Sequence, residues 1–444
     1  MERKAFYKDL WHLMLPLAFQ NLMMTLVSAT DALVLARIDQ YALTAVSLAA
    51  EINFVMNLFL GTVVSCIAIL AAQYLGKGDR KTAENLLAMC LRLNVAVAAV
   101  FFAGAFFAPR ALMGFYTGDP ELIRMGAGYL KIAAWSYLLS AISQAYLCVM
   151  RIDKGAAVSA GIAALTAVVD VAADIYLVYG LGLGAKGTAI TTLAVSAVEL
   201  VCVLLYCHRK GRIHPRVSSL VYFSRVLEKD FWSITFPMLA NFTVWGLGFS
   251  LCAAIMGRMG ADASSAYAIA ALIRKVFTCF IRGLGGGAAI IVGKDLGSGD
   301  LERAKRNGGR LFKAALVCGV ASAALFLLFG AGVSRFFLMN EATRGYLMQM
   351  MPIVAVYLIA SAICVTVING VISAGGDTKF DAKITAVTMW LITIPISCLA
   401  AFVFHAPVVV VYFTVCLDEL VKAFFVYPRF KKYLWLKNLT REFS

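Results

Sequence analysis

The stretch Leu75-Gly-Lys-Gly-Asp-Arg-Lys-Thr-Ala83 recurs without a gap as Leu296-Gly-Ser-Gly-Asp-Leu-Glu-Arg-Ala304, 221 residues later. Each copy is polar and carries two glycines between long apolar runs, so each reads as a turn between two membrane spans. The same offset relates Trp11 and Pro16 to Trp232 and Pro237, and Arg37 to Arg258. Further along, Gly128-Tyr-Leu130 returns as Gly345-Tyr-Leu347, at an offset of 217. Two related halves therefore make up the chain. Six spans in each half would make the repeats parallel, and carriers built from such repeats place their site between the halves and alternate access around it.

Composition sets the class. The 444 residues are 61% hydrophobic and 15% charged, whereas soluble domains hold about 45–50% apolar and roughly 25% charged residues. A run of about 20 apolar residues crosses the hydrocarbon core as a helix. The expected spans are 12–37, 44–71, 87–108, 124–148, 156–179 and 186–207, then 231–257, 264–292, 311–331, 346–369, 382–404 and 406–427. The expected fold is thus an all-α polytopic membrane protein with about twelve transmembrane helices in two homologous six-helix bundles. Its expected domains are an N-terminal lobe over 1–207, a cytoplasmic linker over 208–230, a C-terminal lobe over 231–428 and a basic cytoplasmic tail over 429–444.

The net charge of +15 does not point to nucleic acid, because the basic residues sit in short segments between apolar runs and no soluble face carries them. They act as topology determinants instead. With both termini inside, 27 Lys and Arg fall in the inward segments and 7 in the outward ones. That bias predicts cytoplasmic ends in a multi-pass protein of the cell membrane. The eleven cysteines form no CxxC pair and lie almost wholly in apolar runs, which predicts packing rather than metal binding or disulfides. Neither a Walker loop nor HExxH nor a serine–histidine arrangement is present, so neither ATP nor enzymatic chemistry is expected.

Ionisable groups inside spans are costly and mark function by default. Asp31 lies in the first span and Asp170 and Asp174 in the fifth, the latter two four apart and so on one helix face. At 1.5 Å per residue, Asp31 stands ~28 Å, and Asp170 and Asp174 ~21 and ~27 Å, above the inner ends of their helices. Thr192 lies ~9 Å below the outer end of span six. Three carboxylates and a hydroxyl at one depth suit Na⁺; packed in a low dielectric, they also raise one another's proton affinity enough for H⁺ exchange. No other metal and no bound cofactor is expected. Glu51, two turns into span two, reads as a local or interfacial group. Arg274, Lys275 and Arg282 lie in span eight, and Arg282 precedes the glycine run Gly283, Gly285, Gly286 and Gly287, where helices can approach closely. Arg282 and Asn241 are cavity candidates, Arg282 for an acid, an anionic lipid or an anionic substrate group, with plain snorkelling to the interface as its alternative. Asp418 and Lys422, four apart, are expected to pair. Pro16 and Pro237 remove a backbone bond early in spans one and seven and are hinge candidates.

Taken in order, these features resemble the multidrug and toxic compound extrusion (MATE) family over nearly the whole chain. The resemblance rests on Ser28-Ala-Thr-Asp31, Gln73-Tyr-Leu-Gly-Lys-Gly-Asp79 with its second copy, and Asp170-Val-Ala-Ala-Asp174. It rests further on Gly184-Ala-Lys-Gly-Thr-Ala-Ile-Thr-Thr192 and Ser373-Ala-Gly-Gly-Asp-Thr-Lys379. It implies a V-shaped pair of six-helix bundles that exports cationic or amphipathic drugs in exchange for Na⁺ or H⁺. In members with a first-lobe cation site, an acid on span one, Asn-x-x-x-Asp on span five and Thr on span six bind the ion. Those positions match Asp31, Asp170, Asp174 and Thr192, with Asp170 standing where that pattern has Asn. Span seven has no acid, Asn241 and Ser250 being its main polar groups, so the chain resembles the DNA-damage-inducible type. The expectation is a monomeric secondary antiporter for a small organic substrate; the alternative is a flippase of a lipid or lipid-linked glycan.

Overall fold

The computed structural model describes residues 2–36, 40–209, 213, 219, 224–333 and 339–441. Most of the expected linker 208–230, the outward Arg37 and the side chain of Asp31 lie outside the described residues.

The repeated turn explains itself physically. Gly78 and Gly299 both adopt positive φ, +86° and +79°, a backbone state that ends a helix and that glycine reaches without strain. The aspartate that follows starts the next helix. Asp79 accepts hydrogen bonds from the Thr82 amide at 3.0 Å and the Thr82 hydroxyl at 2.6 Å, and Asp300 accepts one from the Arg303 amide at 2.9 Å. Each thereby satisfies donors that a helix N-terminus otherwise leaves open.

In the first half, α1 runs over Glu2–Ala36, α2 over Gln40–Lys77, α3 over Arg80–Phe107, α4 over Pro109–Tyr116, α5 over Pro120–Met150, α6 over Ala156–Asp174 and α7 over Gly184–Cys207. The second half holds α8 (Arg225–Arg258), α9 (Ala261–Gly297), α10 (Leu301–Val333), α11 (Glu341–Cys364), α12 (Thr378–Ala386), α13 (Ile394–Cys398), α14 (Val408–Val415) and α15 (Leu417–Lys431). Wider π-type turns continue α6 over Ile175–Gly180 and α11 over Val365–Ile372, and flank α13. No strand occurs among the described residues.

Ten segments among the described residues are long and apolar enough to cross a bilayer. One of them, Pro120–Gly180, holds two of the expected spans, because the chain reverses at Asp153 and Lys154, the latter at φ +64°. The last expected span, 406–427, is not one continuous helix. It breaks at Cys416 (φ −86°, ψ 0°) into α14 and α15, so neither piece alone reaches spanning length. With these two adjustments the expected twelve spans are all accounted for.

The described chain forms two compact units, Gln20–Glu228 and Met1–Phe19 with Lys229–Ser444. In the first, α5 packs against α2, α3 and α7, and Ile52, Met56 and Leu60 bury against Ala98, Leu130 and Tyr137. The second contains the opening turns of α1, which the expected lobe 1–207 had placed in the first half. The glycine run is the reason. A Cβ on Gly283 would stand 2.7 Å from both the Met14 carbonyl oxygen and the Ala18 nitrogen, so only glycine lets α1 lie this close to α9. Phe6, Leu10 and Met14 then bury with Leu284, Ala288 and Val292.

Candidate functional site

Pro16 lies inside an α1 that stays helical from Glu2 to Ala36. Proline lacks the amide hydrogen, so the carbonyl of His12 loses its helical partner and the helix is locally weakened. One turn later, between Phe19 and Gln20, α1 passes from one compact unit to the other. Pro237 holds the matching place inside α8, which also stays helical throughout.

Two hydrogen bonds fasten the rest of α1 to α6 and its π-type extension. The Ser159 hydroxyl donates to Gln20 Oε1 at 3.1 Å, and the Tyr179 hydroxyl donates to the Val34 carbonyl at 3.2 Å. Asp31 stands eleven positions after Gln20, and Asp170 eleven after Ser159, which puts both backbones about 16 Å above the lower fastening. Measured from the upper one, Asp31 is ~4.5 Å below Val34 and Asp174 ~7.5 Å below Tyr179. The level of Asp31 thus falls among those of the two aspartates. Their carboxylates face protein rather than lipid, being 5% and 1% exposed.

Packing of α6 on α7 brings in Thr192. A Cβ on Gly187 would lie 3.1 Å from Val178 Cγ2, which sets the register of the two helices. From that contact Thr192 lies ~7.5 Å inward, between Asp174 at about 6 Å and Asp170 at about 12 Å. Its hydroxyl proton goes to the Thr188 carbonyl at 2.9 Å. The oxygen lone pairs remain available to a cation. Among the described residues no three His, Cys, Asp or Glu side chains gather into a metal-holding group; the third carboxylate of the expected set belongs to Asp31.

Two polar groups in this unit escaped the sequence reading. Arg151 counts by sequence among the 27 inward basic residues, yet its Nε donates to the Ser159 hydroxyl at 3.2 Å. Glu199 of α7 was not singled out, although it lies within electrostatic reach of Arg151. An acid inside span six was a visible signal for it.

The second unit carries a larger buried charge network. Asn241 Nδ2 donates to Asp381 Oδ2 at 2.8 Å, so this half-buried cavity candidate is engaged with an acid. Lys422 Nζ lies 3.5 Å from Glu419 Oε1, which corrects the expected Asp418–Lys422 pair. Spacings of three and four share a helix face equally well, and the three-apart acid holds the lysine, while Asp418 lies within reach of both Lys422 and Arg274. All of Asp381, Asp418, Glu419, Lys422 and Arg274 are buried. The Arg274 guanidinium sits 4.6 Å over the Tyr357 ring and 5.9 Å over Phe249, a stabilising placement for a buried cation. Asp381 was hidden in the sequence by its neighbours Lys379 and Lys383, which make the start of span eleven look like loop. Arg282, the other cavity candidate, is exposed, as are Lys275 and Glu51.

The MatE family profile matches residues 16–176 and again 237–399, the two matches starting at the two repeat prolines. The chain is 18% identical over 437 residues to the uncharacterized transporter YisQ of Bacillus subtilis, covering 97% of this chain and 95% of that one. It is 21% identical to the probable multidrug resistance protein NorM of Pasteurella multocida, covering 87% and 85%. Among solved structures, an outward-facing multidrug resistance MATE family transporter superposes with a TM-score of 0.88 at 15% identity, covering 96% of this chain and 95% of that one. A Pyrococcus furiosus transporter, described by the reversed polarity of its binding pocket, superposes at 0.87 with the same identity and coverage. The chain is a multi-pass transporter rather than an enzyme, and it belongs to the MatE family.

Proposed function

We propose that this protein is a monomeric secondary antiporter that exports amphipathic or cationic organic compounds in exchange for Na⁺ or H⁺, with both termini in the cytoplasm. One observation carries the reading: two carboxylates, Asp170 and Asp174, are buried in a segment long and apolar enough to span, and helix rise puts them near the level of Asp31 and Thr192. Burial makes a charged carboxylate costly, so the site gains by taking up a cation or a proton. Asp170 in place of the family asparagine adds one more charge to be neutralised. Because Asp31 rides on α1 above Pro16, neutralising it changes the forces on a helix that is locally weakened and shared between the two units. Ion and substrate then bias one two-state element, which is what coupling requires. Names such as multidrug resistance protein NorM and multidrug and toxin extrusion protein 2 among the relatives favour drug and toxin export over lipid flipping.

The test is uptake of a fluorescent organic cation into inside-out vesicles under an imposed Na⁺ or H⁺ gradient, with Asp174→Asn expressed at equal level. Gradient-driven uptake by the native protein should vanish in the variant, and the effective gradient names the ion. Undiminished coupled uptake by Asp174→Asn would remove the first-half site from the mechanism. No uptake under either gradient would remove the antiport reading.

A further inference from the structure

A slot of about 660 Å³ opens in the second unit between α1, α9 and α10. Its walls are apolar: Trp11 and Leu15 from α1, Phe280 and Leu284 from α9, Val317 and Leu325 from α10. Trp11 and Val317 are 52% and 69% exposed, so the slot is open along its side. Two cations stand at one end, Arg3 and Lys313. Among the described residues neither is paired with a carboxylate.

The position of this charged end is fixed by chain pattern and packing. Lys313 is the last charged residue of α10; residues 314–333 carry none. The Arg310 guanidinium lies 5.4 Å over the Phe6 ring, which sets the first turns of α1 beside the basic turns of α10. The Arg3 guanidinium in turn lies 5.9 Å over the Tyr7 ring. Basic side chains at such a boundary reach toward the headgroup layer. From Lys313 to Leu325 the α10 wall rises about 18 Å, close to the ~15 Å depth of one leaflet's hydrocarbon. An apolar trough one leaflet deep, capped by two cations that have no carboxylate partner among the described residues, matches one kind of molecule: a phospholipid with a negative headgroup.

We propose that this slot is a binding site for an acidic phospholipid of the leaflet on the N-terminal side. Its acyl chain lies along Trp11, Phe280 and Val317, and its phosphate is held by Arg3 and Lys313. The same α1 turns that wall the slot lead directly into Pro16, so the bound lipid braces the opening turns of α1 against α9 and α10.

The experiment is native mass spectrometry of the full-length protein in micelles holding equal phosphatidylglycerol and phosphatidylcholine of matched chains. The native protein should retain phosphatidylglycerol in preference. Arg3→Gln and Lys313→Gln, both at exposed side chains, should each lower that preference about fivefold. Ala321→Phe fills the slot while leaving both charges, and should abolish retention. Lys379→Gln, an exposed cation outside the slot, should leave it unchanged. Equal retention of the two lipids by the native protein would overturn the proposal, as would full retention by Ala321→Phe. Displacement of the phosphatidylglycerol by a fluorescent organic cation would overturn it too, by making the slot a substrate site.

Discussion

Replacing Gly283 by alanine isolates the contact that assigns the start of α1 to the second unit. The added Cβ would meet the Ala18 nitrogen and Met14 carbonyl oxygen at 2.7 Å and Ala18 Cβ at 2.8 Å. Ordinary contact begins near 3.4 Å, so α1 must withdraw by roughly 0.7 Å, and the groups in the way are backbone, which cannot rotate aside. Overpacking of this kind costs about 1–3 kcal/mol. The control is Gly246→Ala in α8, where an added Cβ finds nothing within 4 Å. Both substitutions gain the roughly 0.5–1 kcal/mol that alanine contributes over glycine inside a helix, so the difference between them reads the clash alone. Thermal unfolding of the two purified variants is the assay. At roughly 2–4 °C per kcal/mol for units of this size, Gly283→Ala should melt several degrees below Gly246→Ala. Equal melting, or a more stable Gly283→Ala, would refute the packing of α1 on α9 and with it the assignment of Met1–Phe19 to the second unit.

Lys422→Met should destabilise the second unit by about 3–5 kcal/mol, because Glu419 and its neighbours Asp418 and Asp381 would lose a buried counter-charge; adding Glu419→Gln should restore part of the loss, and melting of the single and double variants decides it. Trp435→Ala removes a side chain that is 1% exposed and stacks on Phe430 at 5.8 Å. Its loss should cost about 3–5 kcal/mol and free the segment after α15, seen as faster proteolysis beyond Lys431; unchanged protection would mean that the tail is held by the Arg441–Asp230 pair instead.

Much of the architecture was legible in the residues because the bilayer leaves few options. Spans must be long and apolar, turns must be polar, and basic residues must gather on one side, so span number, the repeat and the Gly-Asp turns follow from local chemistry. Asp170 and Asp174 also stood out, since an acid inside a span is rare, and the structure buries both. The Asp381 and Glu419 contacts were not. Each depends on which helix face meets which neighbour, and spacing along one helix cannot choose between partners three and four residues away.

By itself, then, the sequence determined a duplicated, twelve-span membrane protein, because span number and repeat depend only on helix rise and hydrophobic length. Three things waited on the tertiary structure. The opening turns of α1 join the second unit through Gly283, the final span breaks at Cys416, and Lys422 turns to Glu419. The physical reason is plainest for the first: helix-to-helix approach is set by atoms far apart in sequence, at distances where a single methyl group decides whether two backbones can touch.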